Sequence, residues 1–269
     1  MTGSTPRGDV SDWWRTAIIE MEPGVIKFRG RPIEELIGTV SFPQMIWLML
    51  RGDLPSQGQA HLLEAALVAA VDHGPQAPSI AAARMAVTCG VGINNAMASG
   101  VNMLGDVHGG AGEQAVVLYR DIAARQEAGA SFEKAVQQGL DAHHDRRGKY
   151  VPGFGHRYHK PVDPRAPRLL VLVDEAAREG EVTGAYAAIG RAIQAELKTR
   201  KGTALAMNID GATAVIFAEL GFEPPLARGI FCLARSVGIL AHAWEQMNQG
   251  GRNKGPTPPE YRWTYEGPE

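Results

Sequence analysis

The chain has 269 residues and a formal charge of −2, with 27 Lys and Arg against 29 Asp and Glu. Hydrophobic residues make up 45% and charged residues 21%, the balance of a globular chain long enough for one large core or two closely joined ones. A near-neutral charge removes the electrostatic case for nucleic acid or an anionic membrane. The two cysteines, Cys89 and Cys232, form no CxxC and read as small buried hydrophobes in a reducing compartment. No apolar run follows the polar start Met1–Arg15, and no stretch has the length of a spanning helix without charge, so a soluble, cytoplasmic protein is expected.

In chain order, Met1–Asp12 is rich in Gly, Ser, Thr and Pro and is expected to fray. Short alternation between Ala17 and Gly30 around Pro23-Gly24 predicts a small hairpin, and little other strand is expected anywhere. Ile33–Ile37 and Phe42–Leu50 read as short helices, the second ending at Arg51-Gly52. Ser56 with Gln59 forms a capping box that starts a helix through Val71, with Leu62, Leu63, Ala66, Leu67, Ala70 and Val71 as its apolar stripe. This helix breaks at Asp72-His-Gly-Pro75, where His73 either points into a cleft or partners the helix end.

Ile80–Ala86 and Ile93–Leu104 are helical patterns rich in small residues, which allow close packing; Arg84 among them needs a partner, and a partly exposed salt bridge is expected. Gly105-Asp-Val-His-Gly-Gly-Ala-Gly-Glu113 follows, leaving the His108 imidazole uncrowded and the backbone free to meet a ligand. From Glu113 to Gly202 the chain reads as helices joined by short polar turns. Their stripes are Phe132, Ala135, Val136 and Leu140, then Leu169, Leu172, Val173 and Ala176, then Ile189, Ile193 and Leu197. His143-His144-Asp145 lacks a third ligand on one helix face and reads as a solvated helix end.

Val151–Arg165 interrupts this helical series. Three prolines and two glycines in it exclude a regular helix or a central strand, so an ordered loop is predicted. Gly153 and Gly155 flank Phe154 and let the backbone turn sharply or approach a ligand. His156, Arg157, His159, Lys160 and Arg165 then bring imidazole and cations suited to carboxylates or phosphates. Further on, Asp210 precedes a helical run, Ala212–Leu220, in the place of an N-cap. The last helix, Leu226–Gln249, is apolar over most of its surface, with Arg228, Arg235 and His242 on a narrow polar stripe that by itself reads as a solvent-facing edge. The tail Gly250–Glu269 is a polar extension expected to lie along a neighbouring subunit.

These segments together resemble the citrate synthase family over roughly Arg29 to Gln246. Arg29-Gly-Arg-Pro-Ile-Glu-Glu-Leu36 and Gly52-Asp-Leu-Pro-Ser56 are similar to its entry segment. Asp72-His73, His108-Gly-Gly-Ala111, Pro152-Gly-Phe-Gly-His156 with Asp163-Pro-Arg165, and Asn208-Ile-Asp210 match its site motifs in order. Phe231, Arg235, Gly238, Ala241-His242 and Glu245-Gln246 match its late helix.

The resemblance implies an all-α homodimer with a large helical domain, residues 1–111 and 216–269, and a smaller one, 112–215, closing over the active site. It implies a CoA thioester as cofactor substrate and no metal. Asp210 would be the catalytic base, His108 the partner of the thioester enolate oxygen, and His156 the group that polarises the carbonyl of oxaloacetate. His73, Arg165 and Arg235 would hold carboxylates, with Arg157 a further cation for them. The family's last carboxylate-binding Arg crosses the dimer, and Arg252 is its nearest candidate, although Gly255-Pro256 replaces the usual Arg-Pro. Lys160, with Gly153, Phe154 and Gly155, would meet coenzyme A.

Asp72-His-Gly-Pro-Gln-Ala-Pro-Ser79 departs from the Glu, Asn and Ser/Thr-Phe of synthases and is similar to citryl-CoA lyases and the lyase module of ATP-citrate lyase. The chain is also short beside a synthase, although His108 is kept as synthases keep it. Cleavage of citryl-CoA to acetyl-CoA and oxaloacetate is therefore the expected activity, with citrate or methylcitrate synthase as the alternative. Two readings of other classes are a metal-dependent hydrolase ligated by His73, His108, His156 and Asp210, and an idle family member acting as a subunit or binding partner.

Overall fold

The computed structural model describes residues 13–160, 162–203 and 205–268, so the expected frayed segment Met1–Asp12 lies outside the described residues. The chain divides into two compact units, Met1–His61 and Leu62–Glu269. In the first, β1 (Ile19–Glu22) and β2 (Val25–Phe28) pair antiparallel across Pro23-Gly24, with Glu22 facing Val25. A two-residue β3 (Arg31–Pro32) extends the sheet, the only one among the described residues. α1 (Ile33–Leu36) and α2 (Phe42–Arg51) follow. Arg29 donates from Nε and Nη2 to the Met49 carbonyl, satisfying an acceptor that the end of α2 leaves without a helical partner. The Ser56–Gln59 capping box forms in both directions, at 3.1 Å each way, and starts α3 (Gln57–Ala70).

The second unit is helical: α4 (Pro78–Thr88), α5 (Ile93–Asn102), α6 (Ala111–Glu127), α7 (Phe132–Arg147), α8 (Arg165–Arg178), α9 (Ala185–Lys201), α10 (Ile209–Glu219) and α11 (Pro224–Gln249). α10 is buried from Gly211 to Ala218, and α6, α8 and α9 pack around it. An all-round apolar helix has no solvent face to offer, which is why α10 occupies the centre. α11 lies along α4, α5 and α6. Gly100 lets α5 come close to α4 and α11, where a Cβ would stand 2.8 Å from both the Ser79 carbonyl and the Ile239 side chain.

Three expectations are corrected. α10 begins at Ile209, and its N-cap is Asn208, whose side-chain oxygen accepts from the Asp210 and Gly211 amides; Asp210 is thereby freed from capping. Cys89 is exposed at the end of α4 rather than buried. His143 is buried and its Nε2 donates to the Tyr150 carbonyl at 2.9 Å, so only the His144 side of that pair faces solvent. α11, by length and composition alone, is long and apolar enough to cross a bilayer; it carries Arg228, Arg235 and Glu245, so the expectation of no charge-free spanning stretch stands, and one side of it packs on α4, α5 and α6.

Candidate active site

The polar stripe of α11 does not face solvent as an edge. Its three members, seven residues apart, each meet a different part of the second unit. Arg228 pairs with Asp106 and Glu113, on either side of His108. Arg235 is 4% exposed and lines a cavity of about 300 Å³. His242 reaches Asp72, beside His73. The same cavity is lined by His73, His108, Gly155, His156, Arg157, Tyr158 and Asp210, drawn from sequence segments far apart.

Close approach of two backbones sets the loop that carries His156. Gly153 has φ of +85°, and a Cβ there would sit 2.6 Å from the Gly211 Cα. A Cβ on Gly211 would in turn lie 2.4 Å from the Gly153 carbonyl oxygen. With neither present, Asn208 N–H donates to the Gly153 carbonyl at 2.9 Å, and Gly155 N–H to the Ala206 carbonyl at 2.8 Å. The Asn208 side-chain amide donates to the Gly155 carbonyl at 2.7 Å. One residue thus caps α10 and fixes the loop, which brings Asp210 and His156 to one cavity.

Backbone amides set the state of both central imidazoles. His156 Nδ1 accepts from the amides of Tyr158 and His159, each at 3.0 Å, which leaves the ring proton on Nε2. His108 Nε2 accepts from the Ser79 amide at 3.2 Å, leaving its proton on Nδ1. Burial lowers the pKa of His108, and the Arg235 charge lowers it further. Burial, His159 and Arg165 likewise lower that of His156, with Asp163 opposing. Burial also lowers His73, reinforced by Arg235 and Arg165. Each ring is therefore a neutral hydrogen-bond donor at ordinary pH.

Asp210 has the opposite shift. Burial raises its pKa, and Arg235 and Arg165 offset this only in part. No side-chain hydrogen bond to its carboxyl is found among the described residues, so the group is free to exchange a proton with a ligand. Arg235 donates from Nε to the Ala70 carbonyl at 3.2 Å and stacks on Phe231 at 4.9 Å, which leaves its terminal nitrogens for a ligand carboxylate. Arg165 does not line the cavity. Its fork closes on Asp163, Nε to Oδ1 at 3.0 Å and Nη2 to Oδ2 at 2.8 Å, while its charge acts on His73 and Asp210. Asp163 is fully buried and also accepts from the Ile209 amide, tying this arginine to the start of α10.

Gly153 and Phe154 do not line the cavity, and Phe154 is bridged to Met207. Lys160 and Arg252 are exposed and do not line the cavity. No group of three metal-ligating side chains occurs among the described residues. Ser79 and Asn208 stand inside the sequence motifs, which assign neither of them the contacts that they make here. Pro78 marks a helix start whose first amides need acceptors, but nothing local says that His108 supplies one.

An all-α unit with two neutral imidazole donors, a half-buried carboxyl and a buried arginine around one cavity defines an enzyme-like site for a carboxylate ligand. Residues 55–256 match the model of the citrate synthase C-terminal domain, and the chain belongs to the citrate synthase family. It is 31% identical over 199 residues to a citrate synthase of Haloferax volcanii, which covers 74% of this chain and 49% of that protein. The chain thus spans about half the length of the curated relatives it matches. It is similar along nearly its whole length to the structure of a citryl-CoA lyase from Hydrogenobacter thermophilus, with 34% identity, a TM-score of 0.81 and 95% of each chain covered. An ATP citrate lyase from Methanothrix soehngenii, solved with citrate and coenzyme A, shares the fold at 22% identity and a TM-score of 0.76, over 99% of this chain and 43% of that one.

Proposed function

We propose that the protein is a citryl-CoA lyase, cleaving citryl-CoA to acetyl-CoA and oxaloacetate. One observation carries this reading: the half-buried Asp210 carboxyl, held toward its protonated form, shares a cavity with the neutral donors His108 and His156. In cleavage, the citryl hydroxyl loses its proton, the C–C bond breaks as the keto C=O forms, and the electron pair passes to the thioester enolate. His108 Nδ1–H stabilises the enolate oxygen, and Asp210 returns a proton to the enolate carbon to give the acetyl methyl. His156 Nε2–H faces the oxygen that becomes the keto group of oxaloacetate. The hydroxyl proton leaves to solvent, because His156 Nε2 already carries a proton and its Nδ1 accepts from two amides, and Asp210 recovers its proton from solvent after the turnover.

His73 and Arg235 would hold carboxylates directly, with Arg165 adding charge from behind Asp163 and Arg157 at the rim. Lys160 and the Gly153–Gly155 turn would meet coenzyme A. Citrate or methylcitrate synthase is the second reading, favoured by the curated relatives. The end-to-end likeness to a lyase of matching length favours cleavage. We further propose a cytoplasmic homodimer in which residues 112–215 form the smaller domain closing over the site, and Arg252 reaches the partner's cavity. Leu233, Val237, Leu240, Trp244 and Met247 are exposed along one face of α11 and support such self-association.

Synthetic citryl-CoA separates the two reactions. A lyase releases oxaloacetate and acetyl-CoA with no free thiol. Citrate and thiol rising together at a catalytic rate would assign a synthase.

A further inference from the structure

We propose that His242 is a positioning residue that fixes the His73 corner for its ligand carboxylate, a role that rests on the reading of the site given above. His242 is outside the cavity, so its influence must pass through another group. α3 ends at Ala70, and the chain reverses over Asp72-His-Gly-Pro75, where Gly74 takes φ of +78°. The His73 ring makes an edge contact with His156, ring centres 5.4 Å apart, and no hydrogen bond to it is found among the described residues. Its position is therefore dictated by the backbone on either side.

Asp72 clamps that backbone. Its Oδ2 accepts from the Gly74 amide at 3.1 Å, closing a turn over His73, and its Oδ1 lies 3.2 Å from His242 Nε2. The second contact needs a proton on Nε2, and Arg84 ensures that one is there. Arg84 Nη1 stands 3.1 Å from His242 Nδ1, and a guanidinium can only donate, so Nδ1 is the acceptor and the neutral ring must carry its proton on Nε2. Arg84 is itself held by Glu245 and by Gln249 Oε1 at 2.7 Å. The hydrogen bonds thus run in one direction, from Arg84 on α4 through His242 on α11 to Asp72. Burial works against the Asp72 charge, but the Gly74 and His73 amides and His242 outweigh it and keep the carboxylate ionised and accepting.

α11 reaches this corner at two more points. The Gly238 amide lies 3.1 Å from the Val71 carbonyl, and a Cβ on Gly238 would stand 2.2 Å from that oxygen. Arg235 Nε takes the Ala70 carbonyl. The helix that supplies the buried arginine therefore also sets where His73 stands relative to it. Arg235 and His73 act on one ligand only if that spacing is kept.

The test compares His242→Leu with His242→Gln in the full chain. Glutamine offers an amide donor near the Nε2 position, whereas leucine offers none. Two readouts are used: calorimetric titration with citrate, and the His73 ring resonances of the ligand-free protein, assigned by their loss in His73→Gln. The leucine variant should weaken citrate by about tenfold or more, as misplacement of a binding group does, and should shift the His73 signals, with a cooperative melt. The glutamine variant should stay within about threefold of wild type. His73 signals of the leucine variant coinciding with wild type, or equal loss of citrate affinity in both variants, would overturn the inference. A wild-type protein that binds no citrate would count against the proposed function instead, and the ring signals, which need no ligand, would still decide the role of His242. Should the leucine variant not fold, Asp72→Ala removes the His242 contact together with the Gly74 turn contact and should shift the His73 signals; unchanged signals there would overturn the inference equally.

Discussion

The Ser79 amide points at His108 Nε2 from 3.2 Å, and the Ser79 hydroxyl lies 2.9 Å from the same nitrogen. Ser79 is fully buried in the first turn of α4, where amides have no helical acceptor. The imidazole completes the helix start, and the helix start fixes the tautomer. ¹⁵N spectra of the His108 ring should show a protonated Nδ1 and a bare Nε2. Ser79→Ala keeps the amide and loses only the neutral hydroxyl contact, so it should keep this tautomer and lose no more than about tenfold in turnover, the equivalent of about 0.5–1.5 kcal/mol. Protonation on Nε2 in the wild type would remove His108 as the enolate partner.

Gly211 and Gly229 give opposite outcomes for one substitution. Gly211→Ala drives a Cβ into the Gly153 carbonyl, whereas the Gly229 position in α11 is open. Overpacking at Gly211 should cost about 1–3 kcal/mol in chemical denaturation and displace the loop that carries His156, with loss of activity. Gly229→Ala should add about 0.5–1 kcal/mol of helix stability with turnover unchanged. Equal, small effects at both positions would mean that the loop is not seated on α10 as described.

Arg235→Gln should raise the citrate dissociation constant by about a hundredfold, because a charge-assisted pair in a water-poor cavity is worth about 2–3 kcal/mol. The Ala70 carbonyl would also lose its donor, so the melt should fall slightly but stay cooperative. Citrate affinity left intact would place the ligand elsewhere.

The pKa shifts dictate mirrored pH profiles. Cleavage needs Asp210 protonated, so its rate should fall as pH rises through the raised Asp210 pKa; condensation needs the carboxylate and should fall as pH drops through it. Stability follows the histidines differently. His73, His108 and His156 have folded pKa values below the ordinary 6.5, so the stability they contribute is present above that value and is lost as pH falls through the folded values. His108→Gln should therefore melt with a weaker acid dependence between pH 6.5 and lower values than the wild type. An alkaline limb shared by both reaction directions would contradict the role of Asp210.

Much of this was legible in the sequence. The hairpin at Pro23-Gly24, the Ser56–Gln59 box and the stripes of α7, α8 and α9 follow from local rules and appear as expected. The motifs also named most residues of the cavity: His73, His108, Gly155, His156, Arg157, Asp210 and Arg235 line it together. What local reading could not supply is tertiary. Asn208 and Asp210 are equally good caps by propensity, and only the loop docking through the Asn208 amide decides between them. The stripe of α11 has the spacing of a solvated edge, and only the position of α3 and α4 beside it turns Arg235 and His242 inward. Arg165 looked like a direct ligand clamp, yet its fork is occupied by Asp163.

The central claim is that Asp210 exchanges the proton on the acetyl carbon. Asp210→Asn tests it cleanly, because Asn208 rather than Asp210 caps α10 and the substitution keeps side-chain size. Turnover of citryl-CoA should fall by about 10²–10⁴-fold, the usual worth of a positioned acid or base. Exchange of acetyl-CoA methyl protons with deuterated water, in the presence of oxaloacetate, should fall in step, while citrate and coenzyme A bind within a small factor of wild type. Cleavage or exchange at near wild-type rate in Asp210→Asn would contradict the account.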